Sequence, residues 1–307
     1  MNERLSFDCS AAEAWIAEHV SPTGEIEMVH DRPWAVVLRV PTKRGDVWFK
    51  ACGPVQRFEP YLTRELSSRW PGLVSELLAC DEQRSWMLTA DAGTSLGVRG
   101  NPPEDWLVIL PRYAQLQNGE VIYAHQHLDH GVPDLRVATL PLRYHDLLAA
   151  DLPIDPADID RFKALGPRFA EMCRELRQYG IPDSIQHDDL HFFNVYERDG
   201  QLRILDWGDA SIGHPFASLF ETFRFLEERN GLRTDHPWYA GLRDAYLEPW
   251  GRDLLGAFDL GIRVGAVAHA IAWVRQRSYL LESEWSSFDE GFKRILRRAF
   301  NALSCPP

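Results

Sequence analysis

The sequence predicts an α+β protein in two lobes: a small sheet-rich lobe over residues 1–92, then a larger, mostly helical lobe over residues 93–307. Three observations predict it. The first hundred residues carry short runs rich in Val, Ile and Trp, broken by turn-forming residues. From Glu104 onward, apolar residues recur at three- and four-residue steps. The length of 307 residues, with 45% hydrophobic and 25% charged composition, suits one large globular domain or two of moderate size.

In order along the chain, residues 25–30, 35–40 and 47–51 read as strands. They are separated by the breakers Asp31-Arg32-Pro33 and Lys43-Arg44-Gly45-Asp46, the second implying a tight turn around Gly45. Residues 56–69 have helical spacing, with Phe58, Leu62 and Leu66 on one stripe, and stop before Pro71-Gly72. Residues 85–90 read as a short buried strand, and the Gly/Pro-bearing segments 91–94 and 97–103 as the connection between lobes. Helices are expected at 104–118, 140–150, 156–179, 216–229, Pro237–Leu247, 254–277 and 287–303. One β-like interruption stands among them, at Ser184–Gln186, 194–197 and 201–205, with Asp199-Gly200 as a hairpin turn.

Thirty-three Lys and Arg against 45 Asp and Glu give a formal charge of -12, which disfavours a nucleic-acid footprint and suits a cationic or metal-bridged ligand. The five cysteines, Cys9, Cys52, Cys80, Cys173 and Cys305, are scattered without metal-ligand spacing, so a reduced, cytoplasmic setting is expected. Residues 1–20 carry Glu3, Arg4, Asp8, Glu13 and Glu18 and lack the apolar run of a signal peptide. The most apolar late segment, 256–274, is interrupted by Asp259, Arg263 and His269, so a buried helix is expected there and no membrane partner. Nothing in the sequence marks an oligomeric state.

The chemistry concentrates in residues 185–210, IQHDDLHFFNVYERDGQLRILDWGDA. His187, Asp188, Asp189, His191 and Asn194 crowd a short loop, and the hairpin folds Asp206 back beside Asn194. A carboxylate and an amide oxygen brought together suit Mg2+, a hard cation that takes oxygen ligands and is completed by waters and phosphates. Asp189, a second carboxylate nearby, suits orienting a hydroxyl and accepting its proton.

This segment resembles the aminoglycoside phosphotransferase and choline kinase family, which shares a two-lobed protein-kinase-like fold. The family pattern His-x-Asp-Leu-His-x-x-Asn, followed by an apolar-Asp-Trp strand end, is met by His187, Asp189, Leu190, His191, Asn194, Leu205, Asp206 and Trp207. The resemblance implies Asp189 as catalytic base, Asn194 and Asp206 as magnesium ligands, and ATP or GTP as phosphoryl donor. It also implies Lys50 in VWFKA as the strand lysine on the nucleotide phosphates, with Glu59 as its helix partner and Glu65 as the fallback. Thr89 and Asp91 then match the hinge whose backbone binds the adenine. The 1–92 lobe becomes nucleotide-binding, and the 93–307 lobe holds the catalytic loop and the site for a small-molecule hydroxyl acceptor.

The chain departs from the family in three places. Residues 30–34 take the phosphate-covering position without a glycine-rich pattern; Asp188 stands where the family has Gly; and Ser218 stands where an acidic residue often supports the loop. Two rival readings remain. His187 and His191, four apart in HDDLH, have the spacing of a zinc hydrolase, but that motif needs a sustained helix. The same fold can also serve as an inactive nucleotide-binding scaffold, which has no chemical need for Asp189, Asn194 and Asp206 together. Trp15, Trp48, Trp106 and Trp273 sit in apolar contexts that core packing explains.

Overall fold

The structure, a computed structural model, describes residues 7–251 and 254–304; Glu3, Arg4 and Cys305 lie outside them. In chain order the elements are α1 (Cys9–His19), β1 (Glu27–Arg32), β2 (Ala35–Thr42), β3 (Gly45–Cys52), α2 (Glu59–Arg69), β4 (Leu77–Asp81), β5 (Trp86–Ala90) and β6 (Thr94–Ser95). They continue with α3 (Pro103–Glu120), α4 (Ala124–Asp129), β7 (Asp134–Leu135), α5 (Leu140–Ala149), α6 (Pro156–Gln178), β8 (Ser184–Gln186), β9 (Val195–Arg198) and β10 (Gln201–Ile204). The last are β11 (Ser211–Gly213), α7 (Leu219–Asn230), α8 (Pro237–Leu247), α9 (Leu255–Arg277) and α10 (Glu282–Ser304). By compactness the chain forms two units, Met1–Pro102 with Phe192–Asp209, and Pro103–His191 with Ala210–Pro307.

In the first unit five antiparallel strands run in the order β1-β2-β3-β5-β4. Period-2 alternation decides what each face carries. Val36, Leu38 and Val40 of β2 and Val47, Phe49 and Ala51 of β3 point into one core, which Ala12, Trp15 and Ile16 of α1 cover. That helix departs from the reading of the first hundred residues as strands and turns. Its short Ala-rich stretch has no Val or Ile run, but Asp8 caps it through a bond from the Ala11 N–H at 3.1 Å. The edge strand β4 also escaped the sequence reading, since none of its residues is fully buried and its alternation is weak. The turn at Gly45 is as expected: Thr42 pairs Gly45 around Lys43-Arg44. A second sheet, β10-β9-β6, contains the Asp199-Gly200 hairpin, where both residues have positive φ, 54° and 75°.

The second unit is helical apart from the small sheet β7-β11-β8. Helix α9 lies in its core, burying Val264, Val267, Ala270 and Ile271 with Phe169 and Met172 of α6 and Phe292 and Ile295 of α10. It is long and apolar enough to cross a membrane, but 67% of its most apolar stretch is buried inside the protein, as expected of a core helix. Gly265 is obligatory there: an added Cβ would meet the Ala217 carbonyl oxygen at 2.2 Å. Helix α7 begins at Leu219, three residues later than its periodicity predicts, because His214 to Ser218 form an irregular turn. Helix α10 starts at Glu282, five residues earlier.

Candidate functional site

On β3, the alternation that sends Phe49 and Ala51 into the core turns Trp48 and Lys50 to the opposite face. A cavity of about 570 Å³ opens on that face within the sheet unit. Lys50, Glu59, Thr63, Thr89, Asp91, Asn194 and Asp206 line it, with His30 and Arg32 of β1 and Trp34 of the β1–β2 turn. The sheet register explains part of the set, since His30, Val37, Lys50 and Met87 face one another in a single cross-strand row.

Lys50 is the electrostatic centre of this cavity. Its Nζ lies 2.6 Å from Glu59 Oε2 and 2.6 Å from Asp206 Oδ1. Burial alone would lower the lysine pKa, but Asp206 and Glu59 outweigh it and leave it well above the ordinary value, so Lys50 is a permanent cation. Glu59 is fully buried. Burial raises its pKa, Lys50 pulls it down and Asp206 pushes it up. The thiol of Cys52, two residues beyond Lys50, donates to Glu59 Oε2 at 3.3 Å. Glu65 pairs instead with Arg69 at 2.7 Å and Arg64 at 3.2 Å, so Glu59 and not Glu65 meets the strand lysine.

The hairpin does bring Asn194 and Asp206 together. Val195 pairs Ile204, and one step outward the Leu205 N–H donates to the Asn194 carbonyl at 2.9 Å. The side chain of Asp206 is 51% exposed, and its backbone turns through a left-handed φ of 62° before the buried Trp207. At the far end, Thr89 pairs with Trp48 across β3 and β5. Asp91 accepts from Trp48 Nε1 at 3.2 Å through Oδ1, and its carbonyl accepts from Arg198 at 2.8 Å. Trp48 is therefore only partly buried and forms cavity wall rather than core. Gly93 lets this segment press on β9, since a Cβ there would lie 2.2 Å from the Glu197 carbonyl oxygen.

The loop His187–His191 belongs to the helical unit, where side chains from distant elements hold its backbone. The His187 N–H donates to the Tyr113 hydroxyl at 2.9 Å and the Asp188 N–H to Ser218 Oγ at 3.3 Å. The Asp189 N–H donates to His187 Nδ1 at 3.3 Å, and Thr222 donates to the Leu190 carbonyl at 2.7 Å. Tyr113 and Ser218 share a bond of 2.9 Å. The turn before helix α7, through Ser218, and the helix itself, through Thr222, thus support the loop. The Asp189 carboxylate is one-third exposed, with His191 Nε2 3.4 Å from its Oδ1.

Asp188 adopts a left-handed φ of 61°, the conformation that favours glycine. Its carboxylate accepts from Ser211. Burial pushes its pKa up to about 6, against the Ser211 bond and the charges of His269 and Arg275. Farther along, Glu221 of α7 bonds His269 at 2.9 Å and Arg224 in bidentate fashion. Burial would raise its pKa, but His269 and Arg224 hold it at about 2. None of Tyr113, Ser211, Thr222 and Glu221 was marked by sequence; each lies far from the loop in the chain and carries no motif.

The zinc-hydrolase alternative fails on geometry. Residues 187–191 form a loop, not a helix, and His187 is fully buried with Nδ1 accepting from the Asp189 N–H. Among the described residues no group of three or more His, Cys, Asp or Glu is placed to hold a metal ion.

No protein-family model matches the sequence, and no curated protein matches it. Solved structures do resemble it. The chain is similar to a choline kinase of Streptococcus pneumoniae, over 94% of this chain and 99% of that one, with a TM-score of 0.63 and 12% identity. It is similar to an ethanolamine kinase of Plasmodium vivax over 95% and 85%, with a TM-score of 0.63 and 12% identity. It is also similar to aminoglycoside 2'-phosphotransferase-IIIa, solved with GDP, over 95% and 97%, with a TM-score of 0.59 and 13% identity. The fold is therefore the expected protein-kinase-like one, sheet-rich at the N-terminal end and helical at the C-terminal end.

Proposed function

We propose that this chain is a small-molecule kinase, moving the γ-phosphoryl group of ATP or GTP to a hydroxyl of a small acceptor. One observation carries the reading: an ammonium group, Lys50, held at 2.6 Å by a buried helix carboxylate, Glu59, and at 2.6 Å by Asp206, on the wall of a cavity that Asn194 also lines. A strand lysine oriented by a helix glutamate is the arrangement phosphoryl transfer uses to hold nucleotide phosphates. The cavity volume, about 570 Å³, is within the range of small-molecule sites.

In this reading Lys50 keeps Glu59 and turns toward the α- and β-phosphates, while Thr89 and Asp91 offer backbone to the base. Asn194 and Asp206 would hold magnesium: an amide oxygen and a half-exposed carboxylate, side by side on one cavity wall, are the hard oxygen donors that ion prefers. Bound there, the ion would neutralise charge on the phosphates. Asp189 would orient the acceptor hydroxyl and take its proton. Its backbone, pinned by four hydrogen bonds on His187 to Leu190, is preorganised for that task.

Acceptor-dependent ADP or GDP release, measured with Mg·ATP and Mg·GTP over pools of hydroxylated amines, sugars and antibiotics, tests this. Release should require one pool and vanish in Asp189→Asn, while calorimetric Mg·nucleotide binding stays within about threefold. Binding without release in any pool would favour the inactive scaffold, and absence of binding would remove the reading.

A further inference from the structure

We propose that Asp188 is a positioning residue, whose carboxylate tethers the loop to β11 through Ser211 and so sets the direction in which Asp189 points. The inference rests on the kinase reading only for its activity arm. A left-handed backbone is unstrained for glycine and disfavoured for a residue with a Cβ, although Asp and Asn tolerate it best. At φ 61° the chain accepts that cost at the residue immediately before Asp189. In return the side chain reaches Ser211, which is 1% exposed on β11, and accepts its hydroxyl.

The tether adds a side-chain restraint to the bonds that hold the loop backbone. Tyr113 of α3, and Ser218 and Thr222 before and within α7, restrain backbone N–H and C=O groups of the loop, and His187 restrains one from within it. The Asp188 carboxylate ties the loop to β11 of the small sheet β7-β11-β8, and β11 is itself paired to β8, the strand that leads into the loop. The loop is thereby closed into a ring: Ser211 pairs Gln186 across the strands, and two residues later Asp188 returns to Ser211 by its side chain. His269 and Arg275 of α9, Asp189 and Tyr113 are the titratable and charged groups that act on Asp188. A glycine at 188 would keep the turn and lose the ring.

The test uses the full chain with Asp188→Gly, Asp188→Asn, Ser211→Ala and the double variant Asp188→Gly with Ser211→Ala. Two readouts are taken: amide hydrogen exchange across residues 187–190, and Mg·ATP hydrolysis with water as the acceptor. Loss of one buried charge-assisted bond should speed exchange in that loop by about tenfold in Asp188→Gly and in Ser211→Ala. Hydrolysis kcat should fall by about tenfold in both, with KM for Mg·ATP within about twofold. The double variant should be no worse than Asp188→Gly, because the two residues share one interaction. Asp188→Asn, whose amide oxygen still accepts from Ser211, should stay within about threefold of the parent. Unchanged exchange in Asp188→Gly overturns the proposal, and so does an Asp188→Asn variant as impaired as Asp188→Gly, which would assign the effect to charge. Faster exchange in a chain that hydrolyses no Mg·ATP even as the parent upholds the tether, and the kinase reading is then decided by acceptor-dependent release.

Discussion

The cavity of the sheet unit and the polar loop of the helical unit are built by opposite means. In the sheet, one rule places the chemistry: alternate residues of β3 go to opposite faces, so Lys50 must face away from a core containing Phe49 and Ala51. Register then adds His30, Val37 and Met87 in the same row. In the loop no periodic rule operates. Backbone groups of His187, Asp188 and Leu190 are held by side chains from other elements, Tyr113 of α3, Ser218 before α7 and Thr222 within it, and the Asp189 N–H by His187 of the loop itself. A periodic scaffold can carry a charged group deep into a cavity, whereas an aperiodic loop can hold a carboxylate in one direction. The two differ in what a single substitution should do.

The largest effect is expected where the periodic scaffold buries charge. Lys50→Met leaves Glu59, fully buried, without its cation, and breaking a buried pair on one side costs about 3–5 kcal/mol. Nucleotide binding should fall with it. Urea unfolding and Mg·ATP calorimetry check both, and a variant as stable as the parent would show that Cys52 alone suffices to hold Glu59. Adding Glu59→Gln to Lys50→Met should restore much of the lost stability without restoring binding.

What could be read from the sequence follows the same division. Strands β2, β3 and β5, the β9–β10 hairpin and the long helices announce themselves by period, and the polar residues His187 to Asn194 by their crowding before a hairpin. Asn194 and Asp206 were legible together because hairpin register is a local property of the Asp199-Gly200 turn. Helix α1 and strand β4 were not, since one is too short and Ala-rich and the other too exposed to show a pattern. The supports of the loop were unreadable for a different reason. Tyr113 is 74 residues from His187, and Ser218 is 30 from Asp188, and only the packed fold brings such pairs together.

The next effect tests an ion pair between two helices of the second unit, Glu221 of α7 with His269 of α9. Glu221 is held at about 2, below the ordinary carboxylate value, so its stabilisation is complete above that ordinary value and fades as pH falls toward about 2. His269 is raised above its ordinary value by Glu221, despite burial, so its stabilisation is complete below about pH 6.5 and is lost as pH rises through the raised folded value. Unfolding free energy should therefore decline on the alkaline side of pH 6.5. Glu221→Gln should cost about 2–3 kcal/mol at pH 6 and flatten that decline. An undiminished slope in the variant would assign the titration to another histidine.

Smaller again is the expected cost of Tyr113→Phe. The His187 N–H and Ser218 hydroxyl would each lose a partner in a fully buried setting, for about 1–2 kcal/mol. Nucleotide binding should be untouched, because the cavity lies wholly in the sheet unit. Hydrogen exchange across 187–190 separates this from a general loosening of α3: protection should fall in the loop and persist in the helix.

The smallest effect comes from a residue that shares the periodic rule but not the cavity. Arg39 pairs with Trp48 across β2 and β3, and Trp48 pairs with Thr89, so Arg39 shares a row with two cavity-lining residues. It lies at the solvent edge, however, bonded to Glu27 at 2.6 Å and Asp46 at 3.1 Å, and it does not line the cavity. Exposed pairs of this kind are screened by water and contribute little. Arg39→Ala should leave both the melting temperature and Mg·ATP binding unchanged within error. A marked loss of nucleotide affinity would mean that charge on this sheet acts at a distance, and the role given to Lys50 would then belong to the whole face rather than to the contact with Glu59 and Asp206.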